Sequence, residues 1–393
     1  MLYCTYWGVG LLTSLFYLRM SDVSDLRLIK IGLFLGFSFL SFIIFGFKER
    51  THKTNAIVPT FAVISFLSFV NQHNYYSLAV ITQFICLNVA FLLCMQMLGE
   101  LRDCFKKEVI LNFIAVSCVL QALWFILNNK GIDPYLYILQ MQGYQFQKIL
   151  VGSGKLLTPS SVDYANVVGS LGQQTLSGAY LAASTPALFR KKWNYTLPII
   201  LYALYLSGSA MTWIAFCFCS LSYLFLKGHI SKRILIWSMP VFLVLSYTLW
   251  DHLGFFDDQR RFMVWSKTME WMSGPSIIWG KGLGYFFDNF NTFMPLSPKW
   301  VYAHNEYIDL YVAFGLIGLF YFSAVMSYIA YIAKHEPIFS SIMVAILINA
   351  AGNFPLHVPA ISLLFIISFS AVLNYNKQID IGEIQNGISS DES

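Results

Sequence analysis

His304-Asn305-Glu306, with Asp309 one helical turn further on, sets an imidazole beside two carboxylates. A neutral imidazole has an unperturbed pKa of about 6.5, so it accepts a proton near neutral pH, and carboxylates at helical spacing can orient it as a general base. Upstream, Arg260 and Arg261 follow Asp257 and Asp258. Such arginines form either a surface ion cluster of little energetic weight or a guanidinium grip on a diphosphate through paired hydrogen bonds. Between arginines and histidine lies Gly280-Lys281-Gly282-Leu283-Gly284, which no Gly-Lys-Ser/Thr closes into a Walker loop. This turn is either a bend that packs closely or a set of backbone N–H groups that, with Lys281, meets an anion. A base and a group of cations suit chemistry in which a proton is removed and negative charge develops.

The elements that must position these residues follow from composition. Of 393 residues 57% are hydrophobic and 11% charged, against roughly 25% charged in soluble domains. A single soluble core stops growing at about 250–300 residues, so this apolar excess has no soluble home. Apolar runs recur near 2–18, 31–47, 55–70, 77–98, 108–127, 175–189, 194–208, 209–226, 234–250, 306–332, 338–352 and 358–373. A bilayer span takes about 20 mostly apolar residues, and lipid offers the backbone no hydrogen bonds. The reading is an all-α polytopic membrane protein of about 12 transmembrane helices, and it excludes a soluble enzyme, a disulfide scaffold and a disordered chain. Six of the seven cysteines lie inside apolar runs and act as small fillers.

Lys and Arg set the expected orientation. Lys48, Arg50 and Lys53, then Arg102, Lys106 and Lys107, then Arg190, Lys191 and Lys192, then Lys227, Lys232 and Arg233 occupy alternate loops. The short loops between them, apart from the first (Arg19, Arg27, Lys30), lack cations. By the positive-inside rule the basic loops and both termini are cytoplasmic. The chain then divides into N-terminal helices (1–127), a first long outer loop (128–174), central helices (175–250), a second outer loop that carries the chemistry (251–305), C-terminal helices (306–373) and a solvated tail (374–393). In the second outer loop Phe262, Trp265, Met269 and Met272 repeat at 3-4-3 spacing while Lys267 and Glu270 face elsewhere, the pattern of an amphipathic interfacial helix. His252 and His357 stand at outer boundaries like His304, but only His304 has two carboxylates at helical spacing behind it. Gly315 and Gly318 allow close approach of a neighbouring helix. The span centres are almost free of charge, which argues against a proton-coupled transporter.

With these residues in place, a resemblance is visible. Ala303-His304-Asn305-Glu306-Tyr307 followed by Gly315-Leu-Ile-Gly318-Leu319 resembles the His-Asn…Gly-x-x-Gly-Leu signature of the O-antigen ligase and polymerase superfamily. Gly169-Ser-Leu-Gly172-Gln173 with Ala179-Tyr-Leu-Ala182 and Pro186, then Arg261-x-x-x-Trp265, then Gly280-x-Gly282-x-Gly284 with Phe286, are similar to three further stretches of that superfamily in order. Ala210 stands where an arginine is common there, and the first long loop has no arginine, so Lys281 or Lys155 would supply the missing charge. The resemblance implies glycan transfer on the outer face of a bacterial inner membrane. The donor would be a glycan on undecaprenyl diphosphate, and the acceptor a lipid A-core sugar, a growing glycan or a protein hydroxyl. His304 would be the base, Glu306 and Asp309 would orient it, and Arg261, Arg260 and Lys281 would bind diphosphate, with no cofactor. Ligase, polymerase and protein O-oligosaccharyltransferase versions are alternatives within the superfamily, and a lipid-linked glycan flippase is the alternative of another class.

The alternation of basic and cation-free loops is tested by reporter fusions. Fusions after Lys192 and Arg233 should read cytoplasmic and one near Ser297 outside; a cytoplasmic reading at Ser297 would separate the second long loop from any outer-face substrate.

Overall fold

Helix α1 (Cys104–Asn129) opens on Lys106, Lys107 and Glu108 and then runs without a charge. In an apolar setting such a stretch satisfies its backbone only by closing N–H on C=O within itself, which makes it a helix. The computed structural model describes residues 104–130, 149–150, 156–157, 174–238, 259–286, 289, 303–358 and 360–373. Apart from one two-residue antiparallel pair, Ile149–Leu150 with Leu156–Leu157, these residues are helical or in turns and loops. After α1 come α2 (Gln174–Ser184), α3 (Leu197–Leu206), α4 (Ala210–Leu226), α5 (Gln259–Trp271), the short α6 (Ser276–Trp279), α7 (Glu306–Ile332), α8 (Pro337–Ala350) and α9 (Ala360–Leu373). Residues 232–238 are helical too.

The spans expected at 108–127, 175–189, 194–208, 209–226, 306–332, 338–352 and 358–373 are therefore helices, with ends shifted by a few residues or finished by 3-10 turns. The spans expected at 2–18, 31–47, 55–70 and 77–98, most of 234–250, most of the first long loop and the tail lie outside the described residues. Among the described residues two helices, Lys106–Asn129 and Glu306–His335, are long and apolar enough to cross a membrane by length and composition. On the second, Leu316, Phe320 and Tyr331 are 50%, 78% and 79% exposed, whereas the core helix of a soluble protein would hide side chains of that size.

The main core gathers α1, α2, α3, α4, α8, α9 and the last turns of α7. Helix α2 sits inside it, buried at every position from Leu176 to Ser184. Its small residues permit this. A Cβ on Gly178 would lie 2.6 Å from Thr212 Oγ1 and 3.0 Å from Ser207 Cβ, so only glycine lets the α3–α4 turn approach so closely. The Tyr180 hydroxyl is satisfied by Ser117 Oγ at 2.6 Å, and Ser184 and Thr185 donate back to the carbonyls four residues earlier. At one end of the bundle Lys107 pairs with Glu336, Arg190 Nη1 with Glu108 at 2.6 Å, and Trp193 Nε1 donates to Asn112 at 3.1 Å. The other end collects the start of α2, the Ser207-Gly208-Ser209 turn, the start of α7 and the α8–α9 turn, with Gln174 Nε2 donating to Leu206 O at 3.3 Å.

A second cluster joins α5 to the first half of α7 through Val264, Trp271, Met272, Phe286, Ala303, Ile308 and Val312. The regularly spaced apolar residues of α5 divide between a packed side and an open one. Trp265 and Met272 pack as expected, but Phe262 and Met269 are 48% and 42% exposed, and the buried stripe is Val264, Thr268 and Trp271. Spacing of 4 and 3 puts these on one side, and Thr268 is tolerated there because its hydroxyl donates to Val264 O at 2.7 Å. Lys267 and Glu270 do face outward, paired at 3.1 Å.

Helix α7 is broken at Gly315, whose φ of 64° and ψ of −159° belong to a region reserved for glycine. The break frees carbonyls of the preceding turn, and the glycine-rich turn takes them. Lys281 N–H donates to Val312 O at 2.7 Å and Gly282 N–H to Ala313 O at 3.2 Å. A Cβ on Gly280 would stand 2.5 Å from Ala313 O, and one on Gly315 would overlap the Ile278 carbonyl. Gly315 thus serves close approach, as its type predicts, but by breaking its helix rather than by smoothing a helix face. Substituting Gly315→Ala adds backbone strain of about 1–3 kcal/mol and the Ile278 overlap. The purified variant should melt several degrees below wild type, and an unchanged melting temperature would show that the break is not formed.

Candidate active site

The site forms where α5, the start of α7 and the α8–α9 turn converge. Asn305 caps α7, its Oδ1 accepting from Tyr307 N at 3.0 Å and Ile308 N at 3.3 Å, and Glu306 and Asp309 occupy the first turn, where the helix dipole favours acids. His304 precedes the cap with φ of 54°, a left-handed conformation that histidine adopts more readily than most side chains. The bend turns its ring edge-on to Phe354 of the α8–α9 turn, with centroids 4.8 Å apart.

The spacing Arg261-x-x-x-Trp265 acquires a physical meaning here. Residues four apart share a face of α5, and each holds one neighbouring segment. Trp265 Nε1 donates to Ala303 O at 2.7 Å, while Arg261 Nη1 donates to Gly352 O at 2.6 Å. The residue before His304 is thus gripped twice, because Asp309 Oδ1 also accepts from Ala303 N at 3.1 Å. The two carboxylates expected to orient His304 also hold the frame around it. Asp309 fixes the backbone leading into His304. Glu306 Oε1 accepts from Leu356 N at 2.8 Å and meets His357 Nδ1 at 3.2 Å, so the imidazole it holds is His357.

His304 and Arg261 are close enough to interact electrostatically. Burial first, and the Arg261 guanidinium second, push the proton affinity of His304 down to about 3. The ring is therefore neutral at physiological pH, a proton acceptor beside a fixed cation. Arg260 belongs to the opening turn of α5. Lys281 holds its ammonium 5.8 Å over the Tyr285 ring. The backbone N–H groups of Lys281 and Gly282, open to an anion-binding reading, are donated to α7 instead, which is the close-packing alternative. Among the described residues no group of three or more His, Cys, Asp or Glu side chains is arranged to hold a metal ion.

The fold brings Arg261, Trp265, His304, Glu306 and Asp309 together, and it adds the Gly352–His357 segment, which the spacing argument left out. His357 is separated from Glu306 by 51 positions, so no helical spacing connects them; its place at the end of an apolar run, like that of His304, is the available signal. The sequence matches no protein-family model, and no curated protein matches it.

The depressed affinity of His304 makes stability depend on pH. The unfolded chain, with an ordinary value of about 6.5, binds one more proton than the native site between pH 6.5 and about 3. The contribution of neutral His304 is full above that window and declines as pH falls through it. His304→Asn keeps a residue that tolerates the left-handed backbone and removes the titration. The melting temperature of wild type should drop more steeply from pH 6.5 to 4 than that of the variant; parallel curves would contradict the buried neutral ring.

Proposed function

We propose that the chain is a multi-pass protein of a bacterial inner membrane that transfers a glycan from undecaprenyl diphosphate to a hydroxyl acceptor on the outer face, as in O-antigen ligases. The observation that carries this reading is the neutral His304 beside the Arg261 guanidinium at the end of the bundle away from the Lys107–Glu336 and Arg190–Glu108 pairs. In the reaction the acceptor oxygen forms a bond to the anomeric carbon as the bond to the diphosphate oxygen breaks. The electron pair leaves with the lipid diphosphate, and the hydroxyl proton passes to His304. The Arg261 guanidinium faces the developing charge, aided by Arg260 and the ammonium of Lys281. A bound diphosphate offsets the Arg261 charge, the smaller of the two influences that depress His304, burial being the larger. Asp309 and Glu306 brace the frame around it.

The acceptor is a lipid A-core sugar in a ligase, a growing glycan in a polymerase and a protein side chain in an O-oligosaccharyltransferase, and the same chemistry serves all three. A flippase would need no base.

His304→Gln and Arg261→Ala should lower transfer about 10²- to 10⁴-fold in a reconstituted assay with lipid-linked donor, at unchanged protein level. Arg261→Lys should recover little, because an ammonium cannot make the paired contact, and Arg260→Ala and the loop control His252→Ala should be mild. Transfer by His304→Gln at the wild-type rate would remove the base role and favour a binding or flipping protein.

A further inference from the structure

The segment from Gly352 to His357 touches the site at three places. Its first carbonyl accepts from Arg261 at 2.6 Å, the Phe354 ring lies edge-on to His304 at 4.8 Å, and Glu306 takes both Leu356 N–H and His357 Nδ1. We propose that His357 is a positioning residue of the transfer site, which through its Nδ1 contact with Glu306 holds the 352–357 wall, and with it Phe354, against His304. This rests on the transfer reading for its kinetic consequence, though not for its structural one.

A carboxylate only accepts hydrogen bonds, so the 3.2 Å contact requires a proton on His357 Nδ1. Glu306 is the more enclosed partner, its side chain 11% exposed against 24% for His357. One oxygen of Glu306 therefore serves two donors, and loss of either loosens the other's segment. The anchored wall is short, and it meets Arg261 and Met211 of α4 at Gly352 and His304 at Phe354. Phe354 stands between the two histidine rings, 4.8 Å from His304 and 6.3 Å from His357, so a shift of the wall moves the surface against which His304 rests. Preorganisation of this kind raises turnover by keeping a base within reach of its proton, and its loss appears in kcat rather than in KM.

The two ring nitrogens can be tested separately. Asparagine carries an N–H near the position of Nδ1, glutamine near that of Nε2. His357→Asn, His357→Gln, His357→Ala and Glu306→Gln would be compared for kcat and KM with lipid-linked donor, and for hydrogen–deuterium exchange of the peptide spanning Leu356 in the purified full-length protein. The expected result is a kcat reduced at least tenfold in the Gln and Ala variants with KM little changed, and faster exchange at the Leu356 amide in both. His357→Asn should stay within about threefold of wild type in both measurements, and Glu306→Gln should exchange faster. Loss of transfer in His357→Asn equal to that in His357→Ala, with exchange unchanged in both, would overturn the proposal and place His357 on the substrate through Nε2. Wild-type kinetics and exchange in His357→Ala would remove any role. If wild-type protein transfers nothing, the transfer reading fails by itself and the exchange measurements still decide whether His357 holds the wall.

Discussion

Backbone hydrogen bonds freed inside an apolar bundle must be made again at once, and the break at Gly315 shows how this chain does it. Val312 and Ala313 lose helical partners where α7 turns, and the amides of Lys281 and Gly282 replace them. An unsatisfied carbonyl in hydrocarbon costs several kcal/mol, so the two segments are bound to each other by necessity. Everything between them inherits that constraint. Helix α5 lies down on the first half of α7 because the glycine-rich turn that follows it is tied there, and Val264, Trp271 and Met272 then find Ile308 and Val312. Glycine is required on both sides of the contact, since a Cβ at either Gly280 or Gly315 would enter the other strand of backbone.

From that docking the site follows. With α5 in place, Arg261 and Trp265 reach two different carbonyls, one before His304 and one in the α8–α9 turn. The carboxylates of α7 complete the bracing from the other side, Asp309 on Ala303 and Glu306 on Leu356 and His357. The consequence for His304 is electrostatic as well as geometric. Enclosure first and a neighbouring guanidinium second disfavour its charged form, so the imidazole is held neutral.

Much of this was legible in the chain order. Uninterrupted apolar runs marked helices now seen at α1, α4, α7, α8 and α9, because a span has only one way to satisfy its backbone. His304-Asn305-Glu306 marked a helix start, and Asn305 does cap it. On α5 the 3-4-3 spacing marks apolar residues without saying what lies opposite each; α7 packs against Val264, Trp265, Trp271 and Met272, while Phe262 and Met269 stay exposed.

The sequence by itself determined the helical, membrane-compatible composition, the positions of the long apolar helices, and the residue types able to supply a base and a cation. These are local properties, carried by hydropathy and by side-chain chemistry. Only the tertiary structure decided which groups meet. It gave Glu306 to His357 and the Gly280–Gly282 backbone to α7, and it set His304 against Phe354 and near Arg261. Those pairings span tens of residues and turn on where α7 breaks, and a one-dimensional pattern carries no information on the direction of a helix after a break.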